Sequence, residues 1–420
     1  MTASDNTGTV AKGQDGKPAP TLKRGLGLTL LTLYGLGTII GAGIYVLVGK
    51  VAGVAGLYAP LAFLVASLLA AFTVFSFAEL SSRFPKSAGE ALYVYEASGR
   101  RFFALTVGLL VVLAGIVSAA SIANGFVGYL NEFLDVPGPL AIIGLVTLLG
   151  GIAAWGITQS AGLAAIATLL EVGGLLLVIW GGRSHLADLP FDLPAALPPL
   201  EWPVWAGVLA GSVLAFYAFI GFEDMVNVAE EVRNPRRTLP RAILLTMLLA
   251  TLLYMTLVAI AVRVLPPEVL AESAAPLSLI FQETSGLSPD LVTAIALVAV
   301  LNGALVQMIM ATRVLYGLTR QGWLPGPLGQ IHPRTRTPLK ATILVVALVL
   351  GFALWLPLVT LATVTSFVAL VIFSGVNLAL LRIKHTQPLP EGAVSYPALI
   401  PAIGFLASAV FAVLAFLQLL

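Results

Sequence analysis

The stretch "GLGTIIGAGIY" (35–45) places four glycines among eleven residues of an otherwise apolar run. Each glycine inside an ordinary helix costs about 1 kcal/mol relative to alanine, so a helix in lipid gives up stability here. A second interruption, "FYAFIGFEDM" (216–225), sits in a comparable run further along. An interrupted helix offers free main-chain groups. N–H groups at a helix N-terminus favour an anion such as an α-carboxylate, and C=O groups at the opposite end favour a cation such as an α-ammonium. Glycine lets the chain unwind and lets a ligand approach the main chain. Gly37, Gly41 and Gly43 are therefore candidates for a site that holds a zwitterion. Gly37 and Gly41 also have the GxxxG spacing by which membrane helices touch, and packing alone accounts for that pair.

Ionisable and polar side chains within the apolar runs form the second group of candidates. Glu171, in "ATLLEVGGLLLVIW", falls near the centre of its run, where a charge costs at least about 2.5 kcal/mol on insertion scales. Such a carboxyl either takes up and releases a proton or stays neutral in a hydrogen bond to the first run. Glu223 and Asp224 directly follow the second interruption. Glu223 is close enough to sense a ligand there or to gate the inner side, whereas Asp224 reads as a hydrated residue at the membrane surface. Glu79, one turn before Arg83, reads as an ion-paired helix end. Phe219 and Phe222, beside Tyr217, could close over a ligand, and Asn124, Asn302, Gln307 and Ser366 could line its pocket. Ordinary packing and interhelical hydrogen bonds account for these residues as well.

The elements that must position these groups follow from composition. Of the 420 residues, 59% are hydrophobic and 10% charged, against roughly 25% charged in soluble domains. The chain reads as an integral membrane protein. It has no cysteine, and its three histidines are scattered outside the apolar runs, so neither disulfides nor a metal constellation is expected. No cofactor is called for, and a net charge of +2 gives no pointer to nucleic acid. Residues 1–24 read as a disordered cytoplasmic tail with no cleaved signal peptide.

A helix needs about 20 apolar residues to cross the hydrocarbon core. Eleven segments qualify: about 26–48, 60–82, 102–131, 138–155, 160–182, 205–227, 240–262, 289–316, 340–357, 359–381 and 396–418. With the amino terminus inside, 19 of the 22 basic residues fall on the cytoplasmic side, leaving Lys50, Arg183 and Arg263 outside. That asymmetry is the one the positive-inside rule demands, and the odd span count puts the carboxyl terminus outside. In "NPRRTLPRA" (234–242), Thr238 reads as the helix N-cap, with Pro240 in the first turn. The interruptions fall in spans one and six, five spans apart, which is the signature of a transporter built from inverted repeats. Repeat one would be about 25–182 and repeat two about 205–384, with an extra helix at about 396–418, all within one transmembrane domain.

Four motifs in order carry a resemblance: "GLGTIIGAGIYVLVG", "FSFAELSSRFPKSAGEALYVYEASG" (75–99), "FYAFIGFEDMVNVAEEVRNPRRTLPRAI" (216–243) and "RVLYGLTRQGWLP" (313–325). Together they resemble the amino acid/polyamine/organocation superfamily, and most of all its bacterial cationic amino acid transporter-like branch. The resemblance implies an all-α, five-plus-five inverted-repeat fold and secondary active transport of amino acids, commonly with protons. By motif match, the substrate carboxylate would meet main-chain N–H groups around Ile40, Gly41, Ala42 and Gly43, and the ammonium the carbonyls of Tyr217, Ala218 and Ile220. Two departures stand out. The family usually has twelve spans against eleven here, and a lysine that can carry the proton in relatives is matched by Glu171.

The function expected is a proton-coupled symporter of neutral L-amino acids in the plasma (inner) membrane, working by alternating access. Glu171 would carry the proton. Neutral cargo is favoured because Glu223 is the one evident anion for a basic side chain. The alternatives are an amino acid or polyamine exchanger handling cationic substrates and a sensor that binds without transport. Sodium coupling through spans one and eight also stays open. An enzyme is disfavoured, since the apolar spans hold no His, no Cys and no nucleophile–base pair. The sequence does not indicate an oligomeric state.

Overall fold

The computed structural model describes residues 25–41, 43–86, 89–155, 161–186 and 197–420, with the side chains of 161–164 excepted. The expected tail at 1–24 and Ala42 lie outside the described residues. The protein is an all-α polytopic membrane protein. Span one is two helices, α1 (Leu28–Ile40) and α2 (Gly43–Ala55). Spans two to five are α3 (Ala59–Arg83), α5 (Arg101–Asn131), α6 (Gly138–Trp155) and α7 (Ala161–Gly181), with a short α4 (Gly89–Ser98) before α5. Span six is α8 (Trp202–Phe216), continued by two 3-10 segments, Tyr217–Phe219 and Phe222–Glu231. After it come α9 (Pro235–Val264), the short α10 (Pro267–Glu272) and α11 (Pro276–Ser285), α12 (Asp290–Arg320), α13 (Leu339–Trp355), α14 (Leu358–Thr386) and α15 (Leu399–Leu419). Each of the eleven expected segments finds its element. Apolar periodicity could not reveal α4, α10 and α11, because they lie in the connections.

Four of the spans pack on the span five places later. Thus α3 lies against α9, α5 against α12, α6 against α13, and α2 against α8. Small residues permit the closest of these approaches, as is usual in membranes. Along α5, Gly108 and Gly115 recur at a seven-residue spacing and face Leu318 and Ala311 of α12. The outer surface is apolar where lipid would touch it, as at Phe102, Leu148 and Trp155.

Two details differ from the sequence reading. The helix after span six begins at Pro235, with Asn234 before it in a left-handed conformation (φ 49°), and Thr238 donates to the Arg233 carbonyl from within the first turn. Proline is favoured at a first helical position because the N–H it lacks would have no partner there. In addition, Leu26 pairs with the end of span six: its N–H donates to Glu231 O (3.0 Å) and its carbonyl accepts from Arg233 N–H (2.9 Å). The start of span one and the end of span six are thereby tied through main chain.

Candidate functional site

The break in span one runs from Ile40 to Gly43. Gly41 leaves helical geometry (φ 1°, ψ −82°), although its N–H still reaches the Gly37 carbonyl at 3.3 Å. The chain restarts as α2 at Gly43, whose first turn presents N–H groups with no acceptor inside the helix. The break in span six follows the Tyr217–Phe219 turn: Ile220 is extended (φ −68°, ψ 138°) and Gly221 has φ 128°.

The two breaks touch through main chain. A Cβ built on Gly43 would lie 2.5 Å from the Ala218 Cα, and one on Gly221 would strike the Thr38 carbonyl. Both glycines are required, Gly221 also for its positive φ. Gly37 is different: a Cβ there would collide with the Thr168 hydroxyl of α7, so Gly37 serves packing. Thr38 ties the breaks, its hydroxyl shared between the carbonyls of Gly35 (2.8 Å) and Gly221 (2.9 Å). Tyrosines hold the main chain around the break in span one. Tyr254 of α9 donates to Ile39 O (3.1 Å) and Tyr129 of α5 to Tyr45 O (2.5 Å).

Between the breaks lies a small cavity of about 20 Å3, walled by Thr38, Ile39, Gly41, Gly43, Ser118, Ile122, Tyr217, Ile220, Gly303, Val306 and Gln307. The Tyr217 hydroxyl is anchored on Ser118, at 3.1 Å from its Oγ and 3.2 Å from its carbonyl. Of the three carbonyls matched by resemblance, that of Tyr217 already accepts the Ile220 N–H at 3.2 Å; a carbonyl has two lone pairs and can accept again. A second chamber of about 20 Å3 shares Ser118, Ile220 and Gln307 with the first. Its remaining wall includes Glu90, Glu223, Asp224 and Phe373.

Other expected residues lie as follows. Gln307 walls both chambers and approaches Asp224 Oδ2 at 3.4 Å. Glu223 accepts the Gly221 N–H at 2.8 Å, capping the break it follows. Asp224, read from sequence as hydrated, is 3% exposed, because the 3-10 segment turns it inward against α12. Phe219 packs on Phe63 and Tyr254, and Phe222 on Phe77 and Phe373; neither walls a chamber. Asn124 donates to Ala353 O of α13 at 3.0 Å, which makes it an interhelical tie. Ile40 is buried beneath the break.

Glu171 is fully buried, and its Oε1 accepts from Asn302 of α12 at 2.9 Å. Its Oε2 has no hydrogen-bond partner among the described residues. The bond to span one anticipated for this residue is made by its main chain instead: Tyr45 donates to the Glu171 carbonyl at 2.6 Å. Glu79 is the ion-paired helix end expected, held by Arg83 and by Lys384 at 2.7 Å each and by the Tyr396 N–H at 2.9 Å. Sequence reasoning missed Thr38, Ser118, Tyr254 and Glu90. Thr38 and Glu90 had a usable signal, one polar within a glycine-rich run and the other acidic directly after "KSAG".

Comparison with known proteins agrees with this geometry. Residues 26–419 match the family model described as amino acid permease. The chain is 30% identical over 392 residues to the branched-chain amino acid permease BcaP of Bacillus subtilis, covering 88% of this chain and 82% of that protein. It is 31% identical over 384 residues to the vacuolar cationic amino acid transporter 4 of Arabidopsis thaliana, covering 85% of this chain and 63% of the plant protein, less than two thirds of the latter's length. The methylthioribose transporter of Bacillus subtilis is 26% identical over 417 residues, with 91% and 86% covered. Two interrupted helices meeting at a small cavity, in a chain matched from end to end of its described part, make this protein a member of the amino acid permease family, within the amino acid/polyamine/organocation superfamily.

Proposed function

We propose that the protein is a proton-coupled symporter of neutral L-amino acids, working by alternating access in the plasma membrane with its amino terminus inside. One observation carries the reading: an N-terminal helix end (α2 at Gly43) and a C-terminal one (span six at Tyr217–Ile220) meet in one cavity. The α-carboxylate then sits on main-chain N–H groups around Ile40, Gly41 and Gly43, with Ala42 between them outside the described residues. The α-ammonium sits on the carbonyls of Tyr217, Ala218 and Ile220. Walls of Ile39, Ile122, Ile220 and Val306 suit an apolar side chain, and relatives named as branched-chain amino acid permeases in two bacteria support neutral cargo.

A cavity of about 20 Å3 has room for roughly one water, so binding requires the walls to part. Two repeats, about 25–182 and 205–384, moving against each other would part them. The packing of spans one to four on spans six to nine supports that division. Glu171 is the proton carrier, since one oxygen is held by Asn302 and the other is buried without a partner among the described residues. A buried carboxylate lacking a cation is costly, and a proton removes that cost.

The test is uptake of labelled leucine into proteoliposomes with and without an inward proton gradient, for the native protein and for Glu171→Gln. Gradient-driven uptake whose dependence vanishes in the variant supports the symporter. Uptake indifferent to the gradient but stimulated by internal amino acid would replace it with an exchanger.

A further inference from the structure

We infer that an anionic phospholipid binds on the lipid-facing side of span four, with its acyl chain in a groove along α6 and its phosphate on the basic loop that precedes α13. The site lies apart from the two interrupted helices and does not depend on the transport reading. Along α6, buried residues alternate in pairs with exposed ones, and Ile143, Gly144, Thr147, Leu148, Gly151 and Trp155 wall an open groove of about 630 Å3 on the exposed side. Two of these positions carry no side chain. A Cβ built on Gly144 or Gly151 would meet nothing within 4 Å, so among the described residues no neighbouring helix covers them. Ile143 and Trp155 are twelve residues apart, about 18 Å of helix at 1.5 Å per residue. That is close to the half of a hydrocarbon core of about 30 Å that one leaflet fills. Trp155, 79% exposed, ends the groove, and tryptophan is a side chain that settles at headgroup level.

Positive charge stands at that end. The loop "QIHPRTRTPLK" (330–340) carries Arg334, Arg336 and Lys340 and no acidic residue. Thr337 donates its hydroxyl to the Ala154 carbonyl at 2.7 Å, which sets Arg336 one residue from that bond on the loop side and Trp155 one residue from it on the α6 side. The loop holds its shape by its own hydrogen bonds: His332 N–H donates to Thr337 O and Arg336 N–H to His332 O, both at 2.9 Å, and the Thr335 and Thr337 hydroxyls lie 2.8 Å apart. Arg334, Arg336 and Lys340 are exposed. Lys340 donates to Gln330 Oε1 at 2.7 Å, and among the described residues none of the three pairs with a carboxylate. Because α13 starts at Leu339, the positive end of its dipole adds to these charges. Each cation beside a membrane strengthens attraction to anionic headgroups about fivefold. A second copy of the chain is the poorer occupant. Copies that share one membrane orientation hold their basic loops at the same level, where like charges repel, and a groove one leaflet deep offers a partner helix only half a contact.

The experiment titrates the full chain, purified in a neutral detergent, with phosphatidylglycerol or with phosphatidylcholine of the same acyl chains. Native mass spectrometry counts the bound lipid, and the rise in melting temperature gives its affinity. One variant changes charge alone, Arg334→Gln together with Arg336→Gln. Another fills the groove alone, Gly151→Leu, at a position with free space around it. The native protein should retain one phosphatidylglycerol at concentrations where phosphatidylcholine is lost. Each variant should weaken that binding at least tenfold, and Lys340→Gln about fivefold; the double arginine variant should also lose the preference between the two lipids. Equal retention of both lipids by the native protein, or unchanged phosphatidylglycerol binding in the variants, would overturn the inference and leave an ordinary lipid-facing surface. Lipid-free dimers that disappear in Gly151→Leu would overturn it in favour of a second copy in the groove. Displacement of the lipid by inorganic phosphate would overturn it too, leaving a phosphate site on the loop without the groove.

Discussion

Thr38 donates its hydroxyl to the carbonyl of Gly221, 183 residues away, at 2.9 Å. Both residues lie at the breaks, so one hydrogen bond joins the main chain of the two interrupted helices. The same proton is shared with Gly35 O at 2.8 Å.

Replacing Thr38 by Val keeps the shape and removes that donor. The expected loss is about 1 kcal/mol of stability, together with a raised KM for the transported amino acid, because the breaks are no longer held in register. Thermal unfolding in detergent and initial uptake rates measure the two effects. Unchanged KM with lowered stability would make Thr38 a structural tie only.

Gly43→Ala puts a methyl 2.5 Å from the Ala218 Cα, where neither main chain can give way cheaply. Gly41→Ala meets its nearest atoms at 3.3 and 3.4 Å and needs a smaller shift. Uptake should therefore fall by at least 100-fold for Gly43→Ala and by roughly tenfold for Gly41→Ala, the factor of ten between them corresponding to about 1.4 kcal/mol. Equal losses would show that steric contact between the breaks does not govern transport.

Gly221→Ala introduces strain of another kind. With φ at 128° and the Thr38 carbonyl in the way, alanine forces the break into a new conformation, at a cost of about 1–3 kcal/mol. The variant should melt below the native protein and fail to bind substrate in equilibrium dialysis.

Glu79→Gln leaves Arg83 and Lys384 facing each other without the carboxylate that holds both. Removing one member of a buried ion pair costs about 3–5 kcal/mol. The variant should be markedly less stable, yet the protein that remains folded should keep its KM, since Glu79 is not among the residues that wall either chamber. A changed KM would connect this cluster, and the loop at Tyr396 that it holds, to the transport cycle.

The sequence by itself determined the eleven apolar segments, their two interruptions and the kind of ligand those interruptions suit. These are local properties: lipid demands long apolar runs, and glycine clusters weaken a helix wherever they occur. Tertiary structure decided which of the flagged polar groups share a chamber. Phe219, Phe222 and Asn124 had the right residue types at plausible positions, but helix rotation turned them into interhelical packing. Glu90 and Asp224 entered the chamber through a short helix and a 3-10 turn that apolar periodicity does not encode. Apolar patterning specifies that a helix crosses the membrane. The side it presents to its neighbours is fixed only when small residues such as Gly37, Gly43 and Gly115 meet their partners.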